Sequence, residues 1–237
     1  VGLLTVALPR SIYPIVSAAV PEAVFLPLPE SENGTISIEA LSALLSALDG
    51  KDALLMGCGL GQSSELKLLV RELLAHAACP VVLDADGLNA VAAHIDVLKT
   101  GKAPLILTPH PGEMARLLSK TVAQVQENRA GISSDFARRF GVTLVLKGYH
   151  TLVTTETAQV VNPTGNPGMA TGGSGDVLAG MIASFAAQGM SPPDAAKCGV
   201  YLHGKAGDAA AKKYSQRAML PSDILSELGT LFLKFEE

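Results

Sequence analysis

The apolar positions of this chain come in short, nearly continuous runs, each closed by glycine, proline or a polar residue. They are "GLLTVAL" (2–8), "EAVFLPL" (22–28), "DALLMG" (52–57), "PVVLDAD" (80–86), "APLILTP" (103–109) and "GVTLVLKG" (141–148). Runs that do not alternate are expected of parallel strands covered on both faces. Between them the spacing changes to three and four. Residues 38–48 present Ile38, Leu41, Leu44 and Leu45 as one stripe, and 64–77 present Leu66, Leu69, Val70, Leu73 and Leu74. "GEMARLL" (112–118) and "TVAQVQENRAGISSDFARRF" (121–140) continue in the same style. Strand alternating with helix predicts a doubly wound α/β sheet. After residue 148 the order changes. "YHTLVTTETAQVVNP" reads as an antiparallel hairpin about "TTETA", and three helices follow at about 174–188, 191–213 and 221–234. "SPPDAA" (191–196) puts proline in a first turn, where a missing N–H does no harm, and Ser222 is the expected N-cap of the last helix. No linker or repeat interrupts the pattern, so a single domain spanning 1–237 is expected.

Composition narrows the function classes. Of the 237 residues 48% are hydrophobic but only 4% aromatic, with no Trp, so the interior must be built from Val, Leu, Ile and Ala. A formal charge of −4 with scattered Lys and Arg gives no footprint for nucleic acid. Cys58, Cys79 and Cys198 form no CxxC pair and read as small buried hydrophobes of a reducing compartment. No apolar run approaches the roughly 20 residues of a bilayer span. With no basic signal-type segment at the start, a cytoplasmic location is expected. The chain opens with "VGLLTVALP", already inside a strand-like run and without Met. Either a few residues are trimmed or an upstream segment is missing.

In open α/β sheets ligands gather at the carboxyl ends of the strands, and the unusual residues of this chain follow strands. "GCGLGQ" (57–62) is a strand-to-helix turn whose Gly59 or Gly61 could let the backbone approach a ligand, although Gln62 breaks the G-x-G-x-x-G pattern. In "DADGLNA" (84–90), Asp84 and Asp86 could cap the next helix or bind a hydrated Mg²⁺; spacing favours the cap. His110 stands between two prolines in "TPHPGE", held either as a packed turn residue or as a functional group. Lys147, at the end of a buried strand and before Gly148, suits a cation aimed at phosphate oxygens; the alternative is a solvated Lys at a hairpin mouth.

The most specific stretch is "NPTGNPGMATGGSGDVLAG" (162–180), in which Gly172, Gly173 and Gly175 lead to the lone acid Asp176 just as a helix begins. Glycine permits positive φ and close backbone approach. The first N–H groups of a helix lack intrahelical partners and carry partial positive charge. Residues 173–176 therefore form an anion cradle for a phosphoryl group in flight, with Gly173, Ser174 and Gly175 as its backbone. Asp176 is favoured there by the dipole alone, for about 0.3–1 kcal/mol. It could also take a proton from a hydroxyl attacking phosphorus. Cradle and base together point to phosphoryl transfer to an alcohol.

"GCGLGQ", "LDADGLNA", "LTPHPGEMARLL", "LKGYHTLV" and "NPGMATGGSGDVLAGMIASFAAQGMSPPDAA…YLHGKAGDAAA" resemble, in order and spacing, the ADP-dependent NAD(P)H-hydrate dehydratases. These are the carboxy-terminal part of the YjeF family, within the ribokinase-like superfamily. The resemblance covers essentially the whole chain. It implies a three-layer sandwich with a mostly parallel central sheet, an antiparallel hairpin and C-terminal helices. It also implies repair of (S)-NADHX and (S)-NADPHX, with ADP as phosphoryl donor, AMP and phosphate as products and Mg²⁺ as helper. Phosphorylation of the ring hydroxyl makes a better leaving group, and elimination restores the dihydronicotinamide.

Carried over by motif, Asp176 is the base and touches the hydrated nicotinamide, while Gly175 and its neighbours hold the transferring phosphate. Lys147, Gly148, Tyr149, His150 and Thr151 line the ADP/AMP site, and His110 and Gly61 contact the hydrated dinucleotide. A homotetramer is implied, and in fused members an epimerase domain lies upstream. Ser174 stands where many members have Thr. The family's opening glycine-bearing strand and Ala-rich helix, which lead to "AGLVTVA", are absent before "VGLLTVA", implying N-terminal truncation. A ribokinase-like kinase of a hydroxymethylpyrimidine or hydroxyethylthiazole, or a non-catalytic nucleotide-binding remnant, is the competing expectation.

Overall fold

The computed structural model describes residues 1–236. Strands β1 (Thr5–Pro9) and β2 (Val24–Leu28) flank helix α1 (Tyr13–Ala19) and pair in parallel with each other alone. This corrects the expectation of one sheet. The pair and the following α2 (Leu41–Leu48) gather around a small cluster of their own, in which Leu28, Ile36 and Ala40 bury against Leu66 and Leu69.

The main sheet has six strands in chain order: β3 (Leu54–Met56), β4 (Val81–Leu83), β5 (Leu105–Leu107), β6 (Thr143–Leu146), β7 (Leu152–Thr154) and β8 (Gln159–Val161). The first four are parallel and the last two turn antiparallel, as the hairpin reading expected. Side chains alternate between the faces. Leu83, Leu107, Leu144 and Leu146 enter one core with α3 (Ser64–His76), α4 (Ala85–Ala92), α5 (Pro111–Leu117), α6 (Val122–Glu127) and α7 (Arg129–Phe140). Val82, Ile106, Val145 and Val153 enter the other with α8 (Ser174–Ala187) and α9 (Pro192–Tyr214). Helix α10 (Pro221–Glu236) packs outside α9 through Met219, Ile224 and Ala210. Burying a side chain such as Ile106, 0% exposed, contributes about 1.5–3 kcal/mol, and both faces are lined with such residues. That is why the strands read as unbroken apolar runs.

Two further expectations need correction. The predicted helical stretch 121–140 breaks at Asn128, whose backbone (φ −138, ψ 55) is not helical and whose side chain accepts the Gly131 N–H at 3.1 Å. An asparagine competing for a local N–H starts α7 afresh, with Arg129 as its first residue. At the start of α10, Pro221 already lies inside the helix, so Ser222 is not the cap. Asp223 closes that end, its Oδ2 accepting the Leu220 N–H at 2.7 Å.

The loop before α8 is tied to α9. Asn166 donates to the carbonyl of Gly207 at 3.0 Å and to Oδ1 of Asp208 at 3.1 Å, and the Gly165 N–H donates to Asp208 Oδ2 at 3.1 Å. Gly204 and Gly207 are glycines because Thr164 and Met169 occupy the space a Cβ would need. The bare approach to Asp176 is therefore a fixed structure.

Candidate active site

The carboxyl ends of β3, β4, β5 and β6 converge on the first turn of α8. Asp84 follows β4 and is 1% exposed. Its position is the N-cap of α4, but its side chain makes no capping bond. Oδ1 instead accepts from Lys147 Nζ at 2.7 Å. The capping role favoured from spacing is thus wrong for the Asp84 side chain, because a buried carboxylate gains more from a cation than from a helix amide. Asp86 does not cap either. Its Oδ2 accepts the Gly61 N–H at 2.9 Å and Oδ1 accepts from Asn89 at 3.3 Å, pinning the loop after β3. Gly57 in that loop (φ 131) has no room for a Cβ, which would overlap the Asp84 carbonyl.

Lys147 also lies 3.8 Å from Oε2 of Glu113, a buried residue of α5. His110 caps that helix. Its Nδ1 accepts from the N–H groups of Gly112 at 2.9 Å and Glu113 at 3.3 Å, while Glu113 Oε2 accepts the His110 N–H at 2.7 Å. With Nδ1 accepting, the ring proton sits on Nε2, 3.3 Å from Glu113 Oε1. His110, Glu113, Lys147 and Asp84 thus form one chain of polar contacts across three strand ends.

The α8 end faces this chain. Gly173 is the N-cap in the left-handed region (φ 89), and no side chain caps the helix. The Ser174 N–H donates to the Thr171 carbonyl at 3.3 Å and the Val177 N–H to Gly173 at 3.1 Å. Among the described residues, the N–H groups of Gly175 and Asp176 have no protein acceptor. A Cβ on Gly175 would lie 3.2 Å from Lys147 Nζ and 3.9 Å from Asp84 Oδ2, so ammonium, carboxylate and free amides border one space. Asp176 is exposed at its edge, and its carboxylate, that of Asp84 and the Cys58 sulfur lie within 4.8 Å of one another. Cys58, expected as a small buried hydrophobe, is instead half-buried between two carboxylates. Burial, then Asp176 and Asp84, push its thiol from 9.0 up to about 12, so it remains protonated.

Ser174 turns inward: its hydroxyl lies 3.4 Å from Nε2 of His203 on α9. Burial, opposed by a hydrogen bond to the Ser174 backbone and reinforced by Lys147, lowers His203 from 6.5 to about 4, and the ring is neutral. Beyond Lys147, Gly148 (φ 134) and His150 (φ 54) bend the chain so that Tyr149, 81% exposed, lies against the His150 ring, centroids 3.9 Å apart and planes tilted by 56°. Thr151 Oγ1 donates to the Gly148 carbonyl at 2.9 Å. Sequence reasoning singled out neither Glu113, Arg129 nor His203. Glu113 had a signal, since an acid three residues after a cap forms a capping box.

Three layers around a mostly parallel sheet, with a glycine-led helix facing the strand ends, define a ribokinase-like α/β protein. The sequence profile of the NAD(P)H-hydrate dehydratases matches residues 1–229, and the chain belongs to that family. It is 47% identical over 237 residues to the bifunctional NAD(P)H-hydrate repair enzyme of Moorella thermoacetica, covering 100% of this chain and 45% of that protein. It is 47% identical over 161 residues to the ADP-dependent (S)-NAD(P)H-hydrate dehydratase of Neisseria meningitidis, covering 66% of this chain and 54% of that one. The chain spans about half the length of these curated relatives. Among solved structures, the ADP/ATP-dependent NAD(P)H-hydrate dehydratase of Bacillus subtilis, co-crystallised with ATP and Mg²⁺, superposes with a TM-score of 0.81 at 28% identity, covering 99% of this chain and 80% of that one. No helix among the described residues is long and apolar enough to cross a membrane.

Proposed function

We propose that this chain dehydrates (S)-NADHX and (S)-NADPHX to NADH and NADPH, using ADP and acting as a single domain. One observation carries the reading: Lys147, Asp84 and the free amides of Gly175 and Asp176 border the same space, beside the exposed Asp176 carboxylate. A phosphoryl group entering it meets a cation and two N–H donors fixed beforehand, and such preorganised donors stabilise charge that builds up in a transition state. Asp176 takes the proton of the ring hydroxyl as its oxygen attacks the β-phosphorus of ADP; the bond to the bridging oxygen breaks and AMP leaves. Loss of the new phosphate from the ring carbon, with a proton from the neighbouring carbon, restores the dihydronicotinamide.

Lys147 meets the nucleotide phosphates, and Gly148, Tyr149, His150 and Thr151 flank the adenosine. Gly61 and His110 border the hydrated dinucleotide. The donor set suits Mg²⁺. Asp84 and Asp176 offer hard oxygens and the protonated Cys58 does not compete, so these two carboxylates would hold the ion together with phosphate oxygens. Bound there, Mg²⁺ would neutralise phosphate charge. In a bifunctional setting the partner activity would be the epimerase.

The test is to add ADP to the protein with (S)-NADHX and follow absorbance of the reduced nicotinamide. Recovery is expected, and Asp176→Ala should abolish it while ADP still binds. Phosphorylation of an added hydroxymethylpyrimidine without recovery would favour the kinase reading instead. Equal turnover by Asp176→Ala removes the assignment of the base.

A further inference from the structure

Arg129 combines three unfavourable features. It is the first residue of α7, where a cation opposes the helix dipole. Its Nε is buried with no hydrogen-bond partner among the described residues. Burial also lowers its affinity for the proton, and no carboxylate pairs with it among the described ion pairs.

What the side chain reaches offsets the missing counter-charge. Nη1 donates to the carbonyl of Tyr149 at 2.6 Å, and Nη2 to those of Leu146 at 3.1 Å and Lys147 at 3.3 Å. One planar fork therefore spans the end of β6 and the loop after it. The same guanidinium explains Gly148, since a Cβ there would meet Nη2 at 3.2 Å. That loop holds two residues with positive φ, Gly148 and the non-glycine His150 (φ 54). For the non-glycine His150 such a conformation is strained and persists only where its surroundings over-determine it. The break at Asn128, which starts a new helix, is what puts residue 129 within reach.

We propose that Arg129 is a positioning residue for the nucleotide: it holds residues 147–149 in the binding conformation without itself forming part of the reacting group. The inference rests on the reading of this loop as the ADP site. If the loop without its fork is competent a tenth of the time, apparent affinity falls about tenfold while chemistry in the bound complex is unchanged.

The experiment compares wild type, Arg129→Met and Arg129→Lys by ADP titration calorimetry, by turnover of (S)-NADHX at varied ADP, and by amide hydrogen exchange over residues 147–151. Arg129→Met should raise Kd and KM for ADP about tenfold or more, keep kcat at saturating ADP within about threefold, and speed exchange in the loop. Arg129→Lys should recover only part of the loss, because one ammonium cannot bridge three carbonyls. Wild-type ADP affinity in Arg129→Met overturns the inference, as does a fall in kcat and thermal stability with KM unchanged. If wild type itself fails to bind ADP, the functional reading fails. Loop exchange then decides the positioning role alone: faster in Arg129→Met supports it, and equal rates refute it.

Discussion

Lys147→Met removes the ammonium at the centre of the site and keeps the apolar stem. Nζ lies 2.7 Å from Oδ1 of Asp84, whose side chain is 1% exposed, and 3.8 Å from Oε2 of Glu113, 7% exposed. Without the cation two carboxylates stay buried with no counter-charge, and breaking such a pair from one side costs about 3–5 kcal/mol. In a chain of this size each kcal/mol lowers the melting temperature by about 2–4 °C, so a fall of about 6–20 °C is expected by scanning calorimetry. Adding Asp84→Asn removes one stranded charge. The double variant should then melt above the single one, a coupling that unrelated sites would not show. Turnover separates structure from chemistry. Losing one preorganised donor to a developing oxyanion typically costs about 10²–10³ in kcat, and the neutral amide that Asp84→Asn brings does not restore the lost cation to the phosphoryl site. Stability should recover in the double variant while ADP-dependent recovery of reduced nicotinamide does not. A double variant no more stable than Lys147→Met, or one with wild-type turnover, refutes the reasoning.

Gly175→Ala should fold normally, since alanine gains up to about 1 kcal/mol over glycine within a helix. It crowds Lys147 Nζ at 3.2 Å, so turnover should fall while the melting temperature holds. Gly57→Ala should do the reverse, lowering the melting temperature sharply, because its Cβ meets the Asp84 backbone carbonyl and its φ is 131. His203 binds a proton near pH 4 when folded and near 6.5 when unfolded, so between these values the unfolded chain carries more protons and stability drops as pH falls. Melting temperature measured from pH 7 to pH 4.5 should decline more gently in His203→Asn. Cys58, with its thiol pushed up to about 12, should react with iodoacetamide at pH 8 far more slowly than a free thiol, as peptide mass spectrometry would show.

The sheet was legible because hydrophobic period is a local property. Continuous apolar runs marked β3 to β6, and the hairpin at β7 and β8 followed from two short runs around a polar turn. The separation of β1 and β2 from the main sheet was not legible, since edge pairing leaves the same apolar run in the sequence. Nor was the break at Asn128, because the stripe of α7 continues that of α6 and one non-helical residue scarcely shifts it. Asp84 and Asp86, alike in sequence, part company for a tertiary reason: one meets Lys147, the other the Gly61 amide.

The convergence on α8 depends on register, which no local pattern encodes. Leu83 pairs with Leu107 and Leu107 with Leu144, so Asp84 stands level with Val145 on β6. Lys147 lies two residues further along, about 7 Å at 3.3 Å per residue. A short polar side chain there could not return to Asp84; a four-carbon stem can, and it brings the ammonium back over the strand ends to 2.7 Å from the carboxylate. The two residues are 63 apart in sequence, yet each is needed to explain the other. The carboxylate steadies a cation that would otherwise swing into solvent, and the cation allows a buried carboxylate to border the helix mouth. Under the proposed function, a phosphoryl group arriving there competes with Asp84 for the same ammonium. On that reading the pair sets how much of the lysine's charge is available to the nucleotide, and Asp84 tunes affinity as well as anchoring the strand ends.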